Sequence, residues 1–354
     1  MRITILFTPD AAGPPEDPVL AQVEGALREA GHETTRVVAG PDVGALVGAL
    51  RAADPALVFN MAESFDGRSA LESSVAGLLN LVGLRYTGSS PAGLLLAGDK
   101  VLSKKVLGFH GIRSPEFATT FRGSVEWAGS LRFPVIVKPP QEDASIGIGR
   151  DAVVRDLQGL LERMHALHGE FRQPVLVEEF VEGREFYVGV LGNAHPEALP
   201  PVELRFEGFP EGAPRIASWE AKWGDGSDAS GPDAHSGTDN GGAAGHGTGP
   251  EGDAPPGGAE YAGTRSEVAG GLAPELAERL RTTAVDCFEA LRLRDYARVD
   301  LRVNAAGEVY VIEVNPNCYL ERSAEFAMAA GAAGLGYEAL VARIVELATA
   351  RYAR

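Results

Sequence analysis

Tyr296-Ala-Arg-Val-Asp-Leu-Arg-Val303, a turn over Asn304 to Gly307, and Glu308-Val-Tyr-Val-Ile-Glu-Val-Asn-Pro-Asn317 decide how this chain folds. Two apolar-rich runs alternate with polar residues on either side of an Asn/Gly turn, which reads as a β-hairpin. A loop over 304 to 307 sets Val303 against Glu308 and Arg298 against Glu313. Side chains alternate with period two along a strand. One face then presents Arg298, Asp300, Glu313 and Asn315, and the other holds Val299, Leu301, Val303, Tyr310, Ile312 and Val314. Carboxylates, an amide oxygen and a guanidinium on one face suit a hard cation held by oxygen, and magnesium with phosphate is the natural occupant. A solvated polar face with ordinary surface ion pairs gives the same pattern. A one-residue change of register would scatter the cluster to both faces.

Outside this hairpin, 354 residues suffice for two or three domains, and a hydrophobic fraction of 45% is that of a globular chain. A formal charge of -17 repels nucleic-acid backbones, so no nucleic-acid partner is expected. Cys287 and Cys318 argue against a disulfide scaffold and fit a reducing cytoplasm. The run Ile3 to Phe7 is too short for a signal peptide, and no stretch approaches the roughly 20 apolar residues of a membrane span. A cytoplasmic protein without membrane contact is expected.

Residues 2 to 88 alternate strand and helix: Ile3 to Phe7, Pro18 to Ala30, Glu33 to Val38, Val43 to Ala53, Ala56 to Asn60, Ala70 to Leu81 and Arg85 to Thr87. That alternation implies a parallel sheet with helices on both faces. Loops after such strands hold ligands, so Glu63 and Asp66 are candidates to touch a substrate; a polar loop capping the next helix fits equally. Gly88-Ser-Ser-Pro91 marks a boundary. The next helix has lysines at 100, 104 and 105, which helices usually leave solvated, and nothing local singles out Lys100. Phe133 to Pro140 is a buried strand ending in Lys138, before a glycine-rich loop from Gln141 to Gly149 that suits an anion and lacks Walker A spacing. A plain hairpin turn accounts for the same residues. Beyond it, Glu178 and Phe180 at a strand end, followed by Glu185, could offer a wall to a purine and a carboxylate to a ribose.

From Gly224 to Gly263 the chain is almost all Gly, Asp, Ser, Ala, Pro and His, so we expect a disordered acidic insertion. Its His235 and His246 lack ligand partners. Helices are expected over Leu272 to Leu291 and Tyr337 to Ala350.

Taken in order, Tyr86-Thr-Gly-Ser89, Asp99-Lys100, Ile136-Val-Lys-Pro139, the Glu142 to Gly149 loop, Val177-Glu-Glu-Phe-Val-Glu-Gly-Arg-Glu185, Glu220-Ala-Lys222, Arg298-Val-Asp300 and Glu313-Val-Asn-Pro-Asn317 resemble the ATP-grasp carboxylate-amine ligases, and within them the D-alanine–D-alanine ligase group. The resemblance implies an α/β and α+β ATP-grasp fold. Its parts would be a Rossmann-like domain over 1–90, a central subdomain over 91–181 and a C-terminal subdomain over 182–354, the last two enclosing ATP. It implies that Lys100, Lys138 and Lys222 contact ATP phosphates under a loop of Glu142, Ala144, Ser145, Ile146 and Gly147. Glu178 and Phe180 would line the adenine pocket and Glu185 would bind ribose. Asp300, Glu313 and Asn315 would hold two Mg2+ ions, with Mn2+ as an alternative. Arg298 and Lys222 would serve the chemistry, and a homodimer is the family's habit.

Departures fall in the acceptor half. The group's serine-rich loop is Glu142-Asp-Ala-Ser145 here, Trp223 stands where tyrosine follows the third lysine, and only Glu16 stands in for the glutamate that orients the first D-alanine. Glu16, Glu63 and Asn317 are the candidate substrate contacts. We therefore expect an ATP-dependent ligase acting through an acyl phosphate on a small amino acid or peptide-like acid. A true D-alanine–D-alanine ligase of wall synthesis is one alternative, and a non-catalytic ATP-binding regulator is another.

Overall fold

The computed structural model describes residues 1–8, 17–121, 124–126, 131–142, 145, 147–171, 174–207, 209, 214–217 and 263–353. The expectations for Glu16, Ala144, Ile146, Lys222 and nearly all of 224–263 lie outside these residues.

The chain begins with a small parallel sheet in the order β2-β1-β3, from β1 (Arg2–Phe7), β2 (Glu33–Val38) and β3 (Leu57–Met61). Ile3, Ile5 and Leu6 of the central strand are buried, as a strand covered on both faces requires. The helices α1 (Pro18–Glu29), α2 (Val43–Ala53) and α3 (Glu72–Leu81) pack around it. Asp17 starts α1 by accepting Val19 N–H, and Asp42 starts α2 by accepting Ala45 N–H, both at 2.9 Å. The segment Arg85 to Thr87 is a single bridge, Tyr86 to Val58, and not the expected strand. Positive φ at Gly88 turns the chain away immediately afterwards.

Two more helices, α4 (Pro91–Gly98) and α5 (Lys100–Phe109), lead into an antiparallel sheet in the order β5-β4-β8-β6-β7. It comprises β4 (Phe117–Phe121), β5 (Ser124–Glu126), β6 (Val135–Lys138), β7 (Val153–Val154) and β8 (Val175–Glu179), with α6 (Leu157–Phe171) beneath it. Leu160 and Leu167 of that helix bury against Val135, Val137, Val175 and Val177.

The third sheet, also antiparallel, has the order β12-β11-β9-β13-β14, with β10 (Glu197–Ala198) beside β9. Its strands are β9 (Arg184–Gly192), β11 (Val202–Phe206), β12 (Thr264–Val268), β13 (Asp295–Val303) and β14 (Val309–Pro316). On one side α7 (Pro274–Ala290) seats Leu280, Ala284, Cys287 and Phe288 on Val188, Val299 and Leu301. On the other, α8 (Glu325–Ala332) and α9 (Tyr337–Tyr352) join the sheet to α1 in one core. Buried Asp295 ties the units together, accepting Gly88 N–H at 2.7 Å and pairing with Arg351 at 2.7 Å.

The deciding hairpin forms, with a different register. Its loop runs over 304–308, which sets Val303 opposite Val309. A bulge at Ile312 then shifts the ladder, so that Asp300 faces Glu313 and Arg298 faces Asn315. Tyr310 and Ile312 therefore leave the apolar face expected for them. Val311, 1% exposed, joins Val299, Leu301, Val303 and Val314 in the core, while Ile312 turns toward the opposite sheet.

Candidate active site

Alternation along β13 places Tyr296, Arg298, Asp300 and Arg302 on one face. Across the ladder, Glu313 and Asn315 share it. The second sheet and α5 stand opposite, and a cleft runs between. Ile136, Ile148, Phe180, Val181, Ile216 and Ala217 form its apolar walls, while Lys138, Glu178, Asp300 and Glu313 line its polar end.

Each described cation in and around this cleft has a carboxylate partner. Lys100 Nζ lies 2.6 Å from Glu313 Oε1 and also donates to the Glu142 carbonyl at 2.6 Å. Its position is set by Asp99, which caps α5 by accepting Val101 and Leu102 N–H at 2.9 Å. Glu178 Oε1 is 2.5 Å from Lys138 and its Oε2 is 3.1 Å from Lys104. Burial alone would raise the Glu178 pKa, but the two ammonium groups hold it below the ordinary carboxylate range. Lys104 is lowered, chiefly by its own burial. Glu185 accepts Arg302 at 2.7 Å and Tyr187 Oη–H at 3.0 Å. Arg302 also lies over the Phe180 ring at 5.0 Å, which fixes that wall.

Arg298 is held on three sides. It donates to both oxygens of Asp300 at 2.8 and 3.0 Å, reaches Glu325 at 3.5 Å and stacks over Tyr187 at 4.8 Å. Burial opposes its charge, yet Asp300 and Glu325 keep the guanidinium firmly protonated. Asp300 itself is pushed up to about 6, by burial first, against the pull of Arg298. Asn315 Nδ2 donates to Asp300 Oδ2 at 3.1 Å, so these three side chains form one network.

A second, larger cavity of about 370 Å³ lies at the carboxyl ends of β1 and β3, where ligands sit in such sheets. Tyr296 and Asn317 line it, so its wall continues the face on which Arg298 and Asn315 lie between the two cavities. Glu63 lines it as well, whereas Asp66 occupies the tight turn between Phe65 and Arg68 with positive φ.

The structure thus brings Lys100, Lys138, Glu178, Glu185, Phe180, Arg298, Asp300, Glu313 and Asn315 around one cleft, with Ser145 at its edge. Ser145 Oγ donates to the Ala217 carbonyl at 2.6 Å. Gly147 has φ +70, and a Cβ there would lie 2.9 Å from Pro139. Sequence reasoning missed Lys104, Tyr187, Arg302 and Glu325. Alternation marks Arg302 in hindsight, but a lysine four residues after Lys100 has no local sign of burial.

A family profile described as "D-ala D-ala ligase C-terminus" matches residues 105–235 and 258–346. A D-alanine–D-alanine ligase from Syntrophotalea carbinolica is 30% identical over 331 residues, covering 93% of this chain and 90% of that one. A Sinorhizobium fredii protein designated y4sG is 33% identical over 345 residues, covering 96% and 89%. Among solved structures, the D-alanine–D-alanine ligase from Bacillus anthracis complexed with ATP superposes with a TM-score of 0.70 at 21% identity, covering 99% of this chain and 97% of that one. That likeness bears on the fold, which is the ATP-grasp fold expected above. The matched profile and the full-length relatives together place this chain in the D-alanine–D-alanine ligase family.

Proposed function

We propose that the protein is an ATP-dependent ligase that joins the carboxylate of an amino acid or peptide-like acid to an amine. The observation that supports this most is the hairpin face itself. Asp300 and Glu313 stand directly opposite each other, with Arg298 and Asn315 as the next pair.

Two carboxylates at one cross-strand pair and an amide oxygen at the next pair on the same face form a hard-donor set suited to magnesium. Asp300, Glu313 and Asn315 would hold it, and when bound it offsets charge on the phosphoryl oxygens. Lys100 and Lys138 are the phosphate contacts in this reading, and they exchange carboxylate partners for phosphate oxygens when nucleotide enters. The apolar walls around Phe180 take the adenine, and Glu185 takes the ribose. Lys222 and the loop residues Ala144 and Ile146 retain the nucleotide roles that the resemblance implies. The proposed division of the chain is 1–90, 91–181 and 182–354.

The acid's carboxylate oxygen attacks the γ-phosphorus, and ADP leaves. The amine nitrogen then attacks the acyl carbon, phosphate departs and the nitrogen loses a proton. Arg298 faces the position where negative charge develops on the carbonyl oxygen and stabilises it. A protein that merely bound nucleotide would need no such group. The cytoplasm supplies ATP and magnesium, and amino acids are the partners of this reading.

The test is ADP release with ATP and magnesium across a panel of D- and L-amino acids. D-alanine comes first, because the Syntrophotalea carbinolica relative is a D-alanine–D-alanine ligase. ADP formed with an acid and an amine, and suppressed by a chelator, is the expected result. Tight ATP binding with no ADP from any carboxylate would overturn it.

A further inference from the structure

Arg302 follows Asp300 on the same face of β13, is 5% exposed and lines the cleft. Its cross-strand partner on β9 is Glu185, whose Oε2 accepts Nε–H at 3.1 Å and Nη2–H at 2.7 Å. Nη1 donates to the Val181 carbonyl at 2.8 Å, and Nη2 donates also to the Arg215 carbonyl. The rings of Phe180 and Phe206 lie 5.0 and 6.0 Å from the guanidinium.

These contacts gather separate pieces of the cleft at one side chain. Residues 180–183 link β8 of the second sheet to β9 of the third. Phe180 ends the link on the second sheet, where its N–H donates to the Pro134 carbonyl at 2.9 Å. Gly183 ends it against β13, with φ +148 and so close an approach that a Cβ would collide with the Val303 carbonyl. Arg302 holds the link between these ends, and through Arg215 it holds the run that carries Ile216 and Ala217 of the cleft wall. A buried ion pair is often no more stabilising than apolar side chains of the same volume, so the use of this one lies in the geometry it imposes. A planar fork of several aimed donors suits that task, and a single ammonium does not.

The group that gains is Glu185. A glutamate free to turn about three bonds loses that freedom on meeting a ligand, which weakens binding. Here Arg302 grips Oε2 while Oε1 accepts the Tyr187 hydroxyl at 3.0 Å, so the carboxylate is set in advance. We propose that Arg302 is a positioning residue that makes the cleft selective for a ribonucleotide: it holds Glu185 where the carboxylate accepts the sugar hydroxyls. The proposal rests on the ligase reading above, which puts ATP in this cleft and its ribose at Glu185.

The experiment is calorimetric titration of the full chain with ATP, 2′-deoxy-ATP and 3′-deoxy-ATP, each with magnesium. The parent is expected to bind ATP at least about tenfold more tightly than the weaker of the two deoxynucleotides, the value of a hydrogen bond to a charged group. Arg302→Met keeps the apolar stem and removes the fork, and it should bring that preference to within about threefold. Base and phosphates are common to all three probes, so a general loosening of the cleft weakens them alike and leaves the preference in place. Glu185→Ala should lose the preference to the same extent, and adding Arg302→Met to it should change the preference no further. Should Arg302→Met fail to fold, Arg302→Lys keeps the charge without the fork and should lower the preference by at least about threefold.

A preference that survives the Arg302 substitution, or that survives Glu185→Ala, would overturn the positioning role while ATP binding stands. A parent that binds ATP and both deoxynucleotides alike would overturn it too, with ADP release still judged on its own results. A parent that binds no ATP at all would instead bring down the ligase reading.

Discussion

Lys104 Nζ and Glu178 Oε2 lie 3.1 Å apart, with their side chains 1% and 2% exposed. The same ammonium donates to the Ile312 carbonyl at 3.0 Å, at the bulge that sets Asp300 opposite Glu313. One buried cation therefore joins α5, the second sheet and the hairpin. Lys104→Met removes that junction, and breaking a buried pair costs about 3–5 kcal/mol. Lys138 stays 2.5 Å from Glu178, so the lower end, about 3 kcal/mol, is expected. Urea unfolding of the two proteins measures it; a loss below about 1 kcal/mol would show that the junction is redundant.

Arg298→Lys separates charge from geometry. Lysine keeps the positive charge beside Asp300 and Glu325 but lacks the planar fork that grips both Asp300 oxygens. Loss of one aimed donor at a developing oxyanion lowers a rate by about 10²–10³. Steady-state ADP formation is expected to fall by that factor, with ATP affinity unchanged. An equal loss in ATP affinity would instead assign Arg298 to nucleotide binding.

Much of the cleft is legible in the sequence for a reason the register makes clear. Near Arg298 the true pairing differs from the expected one by two residues, and a shift of two keeps every side chain on its face. Arg298, Asp300, Glu313 and Asn315 therefore come together despite the misplaced ladder. On the loop side of the bulge the pairing differs by one, and there Tyr310 and Ile312 change faces. A bulge leaves no mark in an alternating run of Val, Tyr and Ile. Lys104 and Glu325 were hidden for another reason. Their partners Glu178 and Arg298 come from distant strands, and only the packed sheets make a helical lysine or glutamate an interior one.

Asp300 gives the protein without nucleotide a pH dependence of definite sign. Its folded pKa is raised from 3.8 to about 6, chiefly by burial. Between those values the folded chain holds a proton that the unfolded chain has released. This group's contribution to stability is therefore full below about pH 4 and lost as pH rises through about 6. Urea midpoints across this range should fall less steeply with rising pH in Asp300→Asn than in the parent. Identical slopes would mean that Asp300 titrates at its ordinary value.

Both thiols are expected to be unreactive in the native protein. Cys287 and Cys318 are buried, and burial pushes each thiol far above its usual range. The thiolate is the nucleophile, so alkylation by iodoacetamide at about pH 8 should proceed only on unfolding. Rapid labelling of Cys318 in the folded protein would show that the wall of the larger cavity opens.

Glu207 and Gly263, which flank the connection containing the Gly- and Asp-rich segment, meet at one place in the sheet. β11 and β12 pair from Val202–Val268 to Phe206–Thr264, and Glu207 N–H then donates to the Gly263 carbonyl at 2.9 Å. Deleting residues 226 to 258 leaves this closure intact and shortens the loop, whose length enters the free energy only logarithmically, by about 0.6 kcal/mol per doubling. Ile216 and Ala217, which line the cleft, precede the deletion and are retained. The melting temperature should therefore move by no more than a few degrees. Because Ile216 and Ala217 line the cleft and lie shortly before the segment in sequence, the KM for ATP should change more than stability does. A drop of more than about 10 °C with KM unaltered would assign the segment to the core instead of the cleft.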